Sequence, residues 1–212
     1  MNKRKMVKRE KETFVLVYGE DRFDTLAIKE LLVGLHPELN GRVRALKEPP
    51  IEVKHAAIGD LPRRADRLAA AVAVEQVRRD VRCVFAHEDC DAVEPAHKAL
   101  TKRIESALAS MDVPVFGVTP AWEMEAWWFQ WPDAVQATNP SWRRPDRYVG
   151  RDVGRVRNAK ERLKAEVVPN GLTKRARATF RTYSASDAPA IARSVRERAL
   201  TTSRRPERGR AH

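Results

Sequence analysis

Cysteine is almost missing from this chain. Cys83 and Cys90 are the only two in 212 residues, too few for a disulfide framework or a thiolate zinc site. Long apolar runs are missing too: nothing approaches the roughly 18–20 residues that a membrane-spanning helix needs. The basic start (Lys3, Arg4, Lys5, Lys8, Arg9) is followed by Glu10-Lys11-Glu12, where a secretory signal would need apolar residues. No Walker-type glycine-rich loop occurs, which argues against ATP hydrolysis by this chain. No Gly-x-Ser-x-Gly element occurs either, and nothing around Cys90 marks it as a nucleophile. These absences lead to the expectation of a reduced, cytoplasmic protein with no membrane contact.

Charge is abundant and unevenly placed. The chain holds 41 Lys and Arg against 29 Asp and Glu, a formal +12. Residues 1–142 hold 21 basic and 22 acidic side chains, so the excess lies entirely in residues 143–212, with 20 basic and 7 acidic. Most of it is arginine, whose planar fork suits phosphate. The bland reading is a solvated, arginine-rich tail, and residues 201–212 (TTSRRPERGRAH) fit it. For residues 143–198 the sharper reading is a surface that tracks a phosphate backbone. Candidate nucleic-acid-binding residues are Arg143, Arg144, Arg155, Arg157, Lys160, Lys174, Arg175 and Arg177.

A hydrophobic content of 42% is enough for a core, and its pattern alternates. Phe14–Tyr18 reads as a buried strand, and residues 24–35 as a helix, from Leu26, Ile28, Leu31, Leu32 and Leu35. Ile51–Ile58 predicts a second strand and residues 62–80 a second helix. Residues 82–86 predict a third strand, 95–111 a helix, 113–118 a fourth strand and 121–130 a Trp-rich helical turn. Strand alternating with helix predicts an α/β, Rossmann-like, mostly parallel sheet flanked by helices. After residue 131 strand signals stop. Trp131-Pro132 and Asn139-Pro140 mark irregular chain, and residues 152–166 and 187–200 read as basic helices. The expected organisation is a flexible basic arm (1–12), an α/β domain (13–131), a basic helical C-terminal region (132–200) and a disordered basic tail (201–212).

Chemistry in an open α/β sheet collects at the carboxyl ends of the strands. Carboxylates recur there. Strand one ends in Gly19-Glu20-Asp21, with Asp24 a turn later. Strand three ends in His87-Glu88-Asp89-Cys90-Asp91, and strand four is followed by Glu123 and Glu125. Clustered carboxylates repel and call for a cation. Mg²⁺ and Mn²⁺ are hard cations that prefer oxygen donors. Such a site suits phosphoryl transfer or phosphodiester hydrolysis. Each piece has a plainer reading: Asp89-x-Asp91 as a solvated loop, Glu20 and Asp24 as acids at a helix N-terminus, His87 as a strand-end histidine.

The Glu20-x-x-x-Asp24 element with Asp89-x-Asp91 resembles the TOPRIM domain of topoisomerases, primases, OLD-family nucleases and ribosomal-RNA maturases. The closer resemblance is to bacterial TOPRIM-like proteins that pair His-x-Asp-x-Asp with a Glu-Ala-Trp helix and a C-terminal Tyr segment. Here these are His87–Asp91, Glu125-Ala126-Trp127 and Phe180-Arg181-Thr182-Tyr183. The resemblance spans roughly residues 14–198. It implies Glu20 as an acid/base or metal ligand, Asp89 and Asp91 as catalytic Mg²⁺ ligands, Asp24 as a further ligand, and Glu125 as a further ligand or a site-orienting group. It also implies a bacterial or phage mobile-element setting, such as phage defence. One position departs: the family's glycine after the first Glu is Asp21 here, where a close backbone approach is expected.

Trp122, Trp127, Trp128 and Trp131 read either as a helix clamped onto the sheet or as a stacking platform for bases. Trp142, beside Arg143 and Arg144, is the better stacking candidate, because basic neighbours argue exposure. Lys160, Lys164 and Lys174 are candidates for a transition-state-stabilising cation. The leading expectation is a Mg²⁺-dependent nuclease acting on DNA or RNA. The alternative is a catalytically degenerate, nucleic-acid-binding or regulatory subunit of a partner ATPase. An acid-rich metal site for a phosphorylated small molecule ranks last, since it leaves the basic C-terminal third unexplained.

Overall fold

Thr13–Tyr18 is rich in β-branched and aromatic residues, and it forms the strand β1 with both faces covered. The computed structural model describes residues 12–46 and 52–203. β1 lies inside a four-stranded, all-parallel sheet with β2 (Val43–Ala45), β3 (Asp80–His87) and β4 (Val115–Val118), in the order β2-β1-β3-β4. The α/β arrangement expected from the sequence is present.

Helices cover both faces. α2 (Leu61–Gln76) and α3 (Ala96–Ala107) bury Leu68, Val72, Leu100 and Ile104 against Leu16, Tyr18, Val84 and Ala86. On the other face, α1 (Arg22–Leu35) buries Ile28 and Leu31 against Val17. That second core is extended by α4 (Glu125–Trp128), α5 (Pro132–Thr138), α6 (Ala159–Glu166) and α8 (Ala188–Ser203). They contribute Trp128, Val135, Leu163 and Ile191, each wholly buried. Helices after residue 131 therefore share one core with α1. The approach of α8 to α1 is close: a methyl group on Gly34 would lie 3.1 Å from Arg196 Cα. The short α7 (Lys174–Thr179) buries no residue.

The order β2-β1-β3-β4 decides where the site falls. From β1 the chain moves one way to β2, then returns across to β3 and continues to β4. β1 and β3 are neighbours whose outgoing loops diverge, and the gap between their carboxyl ends is the topological switch point.

Several expectations need correction. The second strand is Val43–Ala45, not 51–58; Ile51 lies outside the described residues. The stretch 52–58 has its backbone tied to side chains instead of a strand partner. Glu88 accepts from Val53 N and Lys54 N, and Arg103 donates to the carbonyls of Val53 and Ala56. The chain around Trp131-Pro132 is not irregular, because Pro132 opens α5 at a position where its missing N–H costs nothing. The arm expected over 1–12 lies outside the described residues except for Glu12. The tail expected over 201–212 does so from residue 204 onward, and residues 201–203 continue α8.

Candidate active site at the carboxyl edge of the sheet

Gly19 and Asp21 shape the exit from β1. A methyl group on Gly19 would sit 2.4 Å from Thr25 Oγ1, so the close approach that the resemblance expects after Glu20 is met one residue before it. Asp21 has ordinary extended backbone (φ −129°, ψ 173°) and caps α1. Its Oδ1 accepts from Phe23 N at 2.6 Å and Asp24 N at 2.9 Å. Asp21 therefore sits in the first loop without backbone strain. Glu20 is fixed from across the switch point: its Oε2 accepts Asp89 N at 3.0 Å.

The β3 exit is tied to the β4 exit by backbone bonds. Cys90 N donates to Pro120 O at 3.3 Å, Asp91 N to Trp122 O at 2.8 Å, and Trp122 N to Ala92 O at 2.7 Å. Asp91 and Trp122 both take left-handed backbone (φ 54° and 64°), a conformation that costs a bulky residue most. This strained pair holds the two acidic loops together. Asp89 turns inward, where its Oδ1 accepts Met124 N at 3.0 Å.

The site carries two cations of its own. Lys54 Nζ donates to Asp91 Oδ2 at 2.6 Å and to the Asp89 carbonyl at 2.8 Å, and lies 3.8 Å from Glu20 Oε2. Burial opposes its charge, but Asp91 and Glu20 outweigh this and hold its pKa above the usual lysine range. Lys160 Nζ stands 3.6 Å from Glu125 Oε1, and its backbone N donates to Glu123 Oε2 at 2.9 Å. Its pKa is also raised, with Glu125 and Glu123 overcoming burial. Glu125 accepts from the buried Tyr183 hydroxyl at 3.2 Å.

Between these lysines the negative charge is poorly balanced. Burial, abetted by Asp21, Asp89 and Glu125, lifts the Asp24 carboxyl to about 7, against the pull of His87. Burial likewise raises Glu125, with Asp89 and Glu123 adding to it and Lys160 opposing. His87 is fully buried. Desolvation would lower its pKa, but Asp89, Asp24 and Glu20 outweigh burial and raise it. Its Nε2 lies 3.3 Å from Asp89 Oδ1, an ion pair when the ring is protonated, and Nδ1 has no hydrogen-bond partner among the described residues.

The expected Mg²⁺ or Mn²⁺ meets a donor set of the right kind. Asp24, Asp89 and Glu125 carry hard oxygens, and burial with mutual repulsion raises Asp24 and Glu125 in spite of His87 and Lys160. Asp91 is different, since Lys54 already takes its carboxylate. Among the described residues, no three His, Cys, Asp or Glu side chains stand ready-assembled as a metal site.

The arginines sort into groups. Arg143 is spent internally on Glu166 and Asn170, and Arg144 on Asp133 and Asp146. Arg155 pairs with Asp152 at 3.0 Å. Lys174, Arg175 and Arg177 on α7 are exposed, with no acidic partner among the described residues. Lys164 pairs with Glu161 at 2.7 Å. Trp142 is 1% exposed, contrary to the stacking expectation. Its Nε1 donates to the Arg181 carbonyl and its ring lies against Tyr183. Trp128 is core, while Trp122, Trp127 and Trp131 pack half-buried around it.

Sequence reasoning missed Lys54. Its signal depended on strand placement: with β2 at 43–45, residues 52–57 are no strand but chain at the carboxyl edge, and Lys54 is a basic residue on it. Glu88, at the center of the acidic motif, serves as a buried clamp on that loop. Comparison with protein-family models, curated proteins and solved structures finds no match for the chain. Among the described residues, no helix is long and apolar enough to cross a membrane.

Proposed function

We propose that this protein is a Mg²⁺- or Mn²⁺-dependent nuclease that hydrolyses phosphodiester bonds of DNA or RNA at the β1/β3 edge. The observation that carries this reading is the convergence of Glu20, Asp24, Asp89, Asp91 and Glu125 from three strand exits onto the switch point of a parallel sheet. The TOPRIM-like motifs support it, and so does the exposed basic helix α7. On the same resemblance, phage defence or mobile-element biology is the proposed setting.

Asp24, Asp89 and Glu125 would hold the ion, which when bound neutralises charge and polarises the scissile phosphate. The chain's own residues supply the rest. Asp24, whose carboxyl lies near 7 without an ion, would give up its proton as the ion binds and serve as a ligand. Lys54 and Lys160 place ammonium groups beside the carboxylates, where charge develops on the leaving oxygen. Glu20 braces the Asp89 backbone, and Tyr183 orients Glu125.

The test is cleavage of plasmid DNA and structured RNA with Mg²⁺ or Mn²⁺ by wild type and by the Asp89→Ala/Asp91→Ala double variant. Wild type cuts at least one substrate and the variant does not. Equal activity, or none in either, sinks the reading.

A second reading has its own support. Lys54 already touches Asp91, Asp89 and Glu20, as in a site that has replaced a metal with an ammonium. This describes a nucleic-acid-binding or regulatory subunit beside a partner ATPase. It requires salt-sensitive binding that is indifferent to divalent ions and to Asp89→Ala.

A further inference from the structure

A second basic feature lies apart from α7. Residues 147–162 fold around a cleft of about 330 Å³ lined by Arg147, Arg151, Arg155, Arg157 and Arg162. One carboxylate, Asp152, faces them, and it is committed: Oδ1 accepts Gly154 N at 3.1 Å and Oδ2 pairs with Arg155 at 3.0 Å. Arg147 reaches Glu166 at 3.6 Å, but that carboxylate is shared with Arg143. Arg151 and Arg157 have no acidic partner among the described residues.

The cleft is built, not merely charged. Arg162 is anchored by donating Nε to the Arg157 carbonyl at 2.7 Å and a terminal nitrogen to the Tyr148 hydroxyl at 3.3 Å. Tyr148 is 9% exposed and packs, tilted by 47°, against the core residue Phe129, with ring centroids 4.4 Å apart. Glu166 and Asp152 answer Arg147 and Arg155, which leaves Arg151, Arg157 and Arg162 without a carboxylate among the described residues and makes the cleft attractive to anions. A backbone phosphodiester carries one charge, which one arginine fork answers. Two unpaired guanidiniums beside an anchored third match a more highly charged group.

We propose that this cleft receives a phosphate monoester or polyphosphate, carried by the end of a nucleic acid strand or by a free nucleotide. Its place supports a link to the carboxylate edge: Arg157 precedes Lys160 by three residues, within about 11 Å along the chain. The inference does not depend on hydrolysis. A binding measurement without divalent ions fails or succeeds separately from a cleavage assay.

The experiment uses the full chain with chelator present. Fluorescence anisotropy compares one single-stranded oligonucleotide bearing a 5′-hydroxyl, a 5′-phosphate or a 3′-phosphate, with pyrophosphate and a nucleoside triphosphate as competitors. At least one phosphorylated end binds about tenfold tighter than the hydroxyl form, or the nucleoside triphosphate binds and competes. The first outcome assigns strand ends and the second free nucleotides. Arg151→Ala/Arg157→Ala removes that preference or competition. The control Lys174→Ala/Arg175→Ala/Arg177→Ala weakens all oligonucleotides by a common factor and leaves the preference. Both variants alter exposed side chains, and circular dichroism verifies their folding. The proposal is overturned if wild type neither distinguishes the ends nor responds to either competitor. It is overturned equally if Arg151→Ala/Arg157→Ala behaves as wild type.

Discussion

Asp24 should make the fold less stable while making the site work. Its carboxyl is lifted from 3.8 to about 7, chiefly by burial. Each pKa unit is worth about 1.4 kcal/mol, so keeping Asp24 ionised in the folded state costs on the order of 4 kcal/mol at pH 8. The folded state holds the proton more tightly than the unfolded chain. Stability from this group is therefore greatest below pH 4, falls as pH rises from 4 to 7, and is flat above. Asp24→Asn removes the titration. It also gives up an acid in the first turn of α1, a loss of about 0.5 kcal/mol. The variant should be more stable than wild type by about 3 kcal/mol at pH 8, and that advantage should shrink by about 2 kcal/mol by pH 5.5. Urea unfolding of both proteins at the two pH values, with chelator present, measures the difference while other titrating groups cancel. A variant that is no more stable at pH 8, or whose advantage ignores pH, refutes the reasoning.

Other expectations are simpler. Asp21→Ala removes the N-cap of α1 and should cost about 1 kcal/mol in urea unfolding. Gly19→Ala drives a methyl group against Thr25 Oγ1 and should cost about 1–3 kcal/mol by the same assay. Tyr183→Phe leaves Glu125 without its buried donor and should cost about 2 kcal/mol at pH 8. If nucleic acid runs over α7, Lys174→Ala/Arg175→Ala/Arg177→Ala should flatten the slope of log K against log salt by about 2–3, read from binding titrations at several salt concentrations.

The framework was readable because its signals are local. Phe14–Tyr18 and Arg82–Ala86 could only be buried strands, and acids following them had to gather at one edge once the strands ran parallel. β2 escaped notice because so short an element has Arg44 at its middle and Arg42 before it, while the more apolar 52–58 is a loop whose backbone bonds go to Glu88 and Arg103. That error hid Lys54, since its loop was read as a strand. Trp142 misled for a different reason: the basic residues after it pair with Glu166, Asp133 and Asp146, while the indole itself turns the other way into the core. Residue type announced an acidic edge. Which acids are braced by backbone, which are answered by lysine and which stay unbalanced depends on contacts between loops 35 or more residues apart.

The most direct test of the central claim is the single-turnover cleavage rate of labelled DNA and RNA with Mn²⁺ from pH 5.5 to 8.5, in wild type, Asp24→Asn and Asp89→Asn. A Mn²⁺-dependent wild-type rate that needs more Mn²⁺ below pH 7, where the proton on Asp24 competes with the ion, with both variants reduced at least a hundredfold, is the result the account predicts. Cleavage by the variants at the wild-type rate, or no cleavage by wild type at any pH on either substrate, contradicts it.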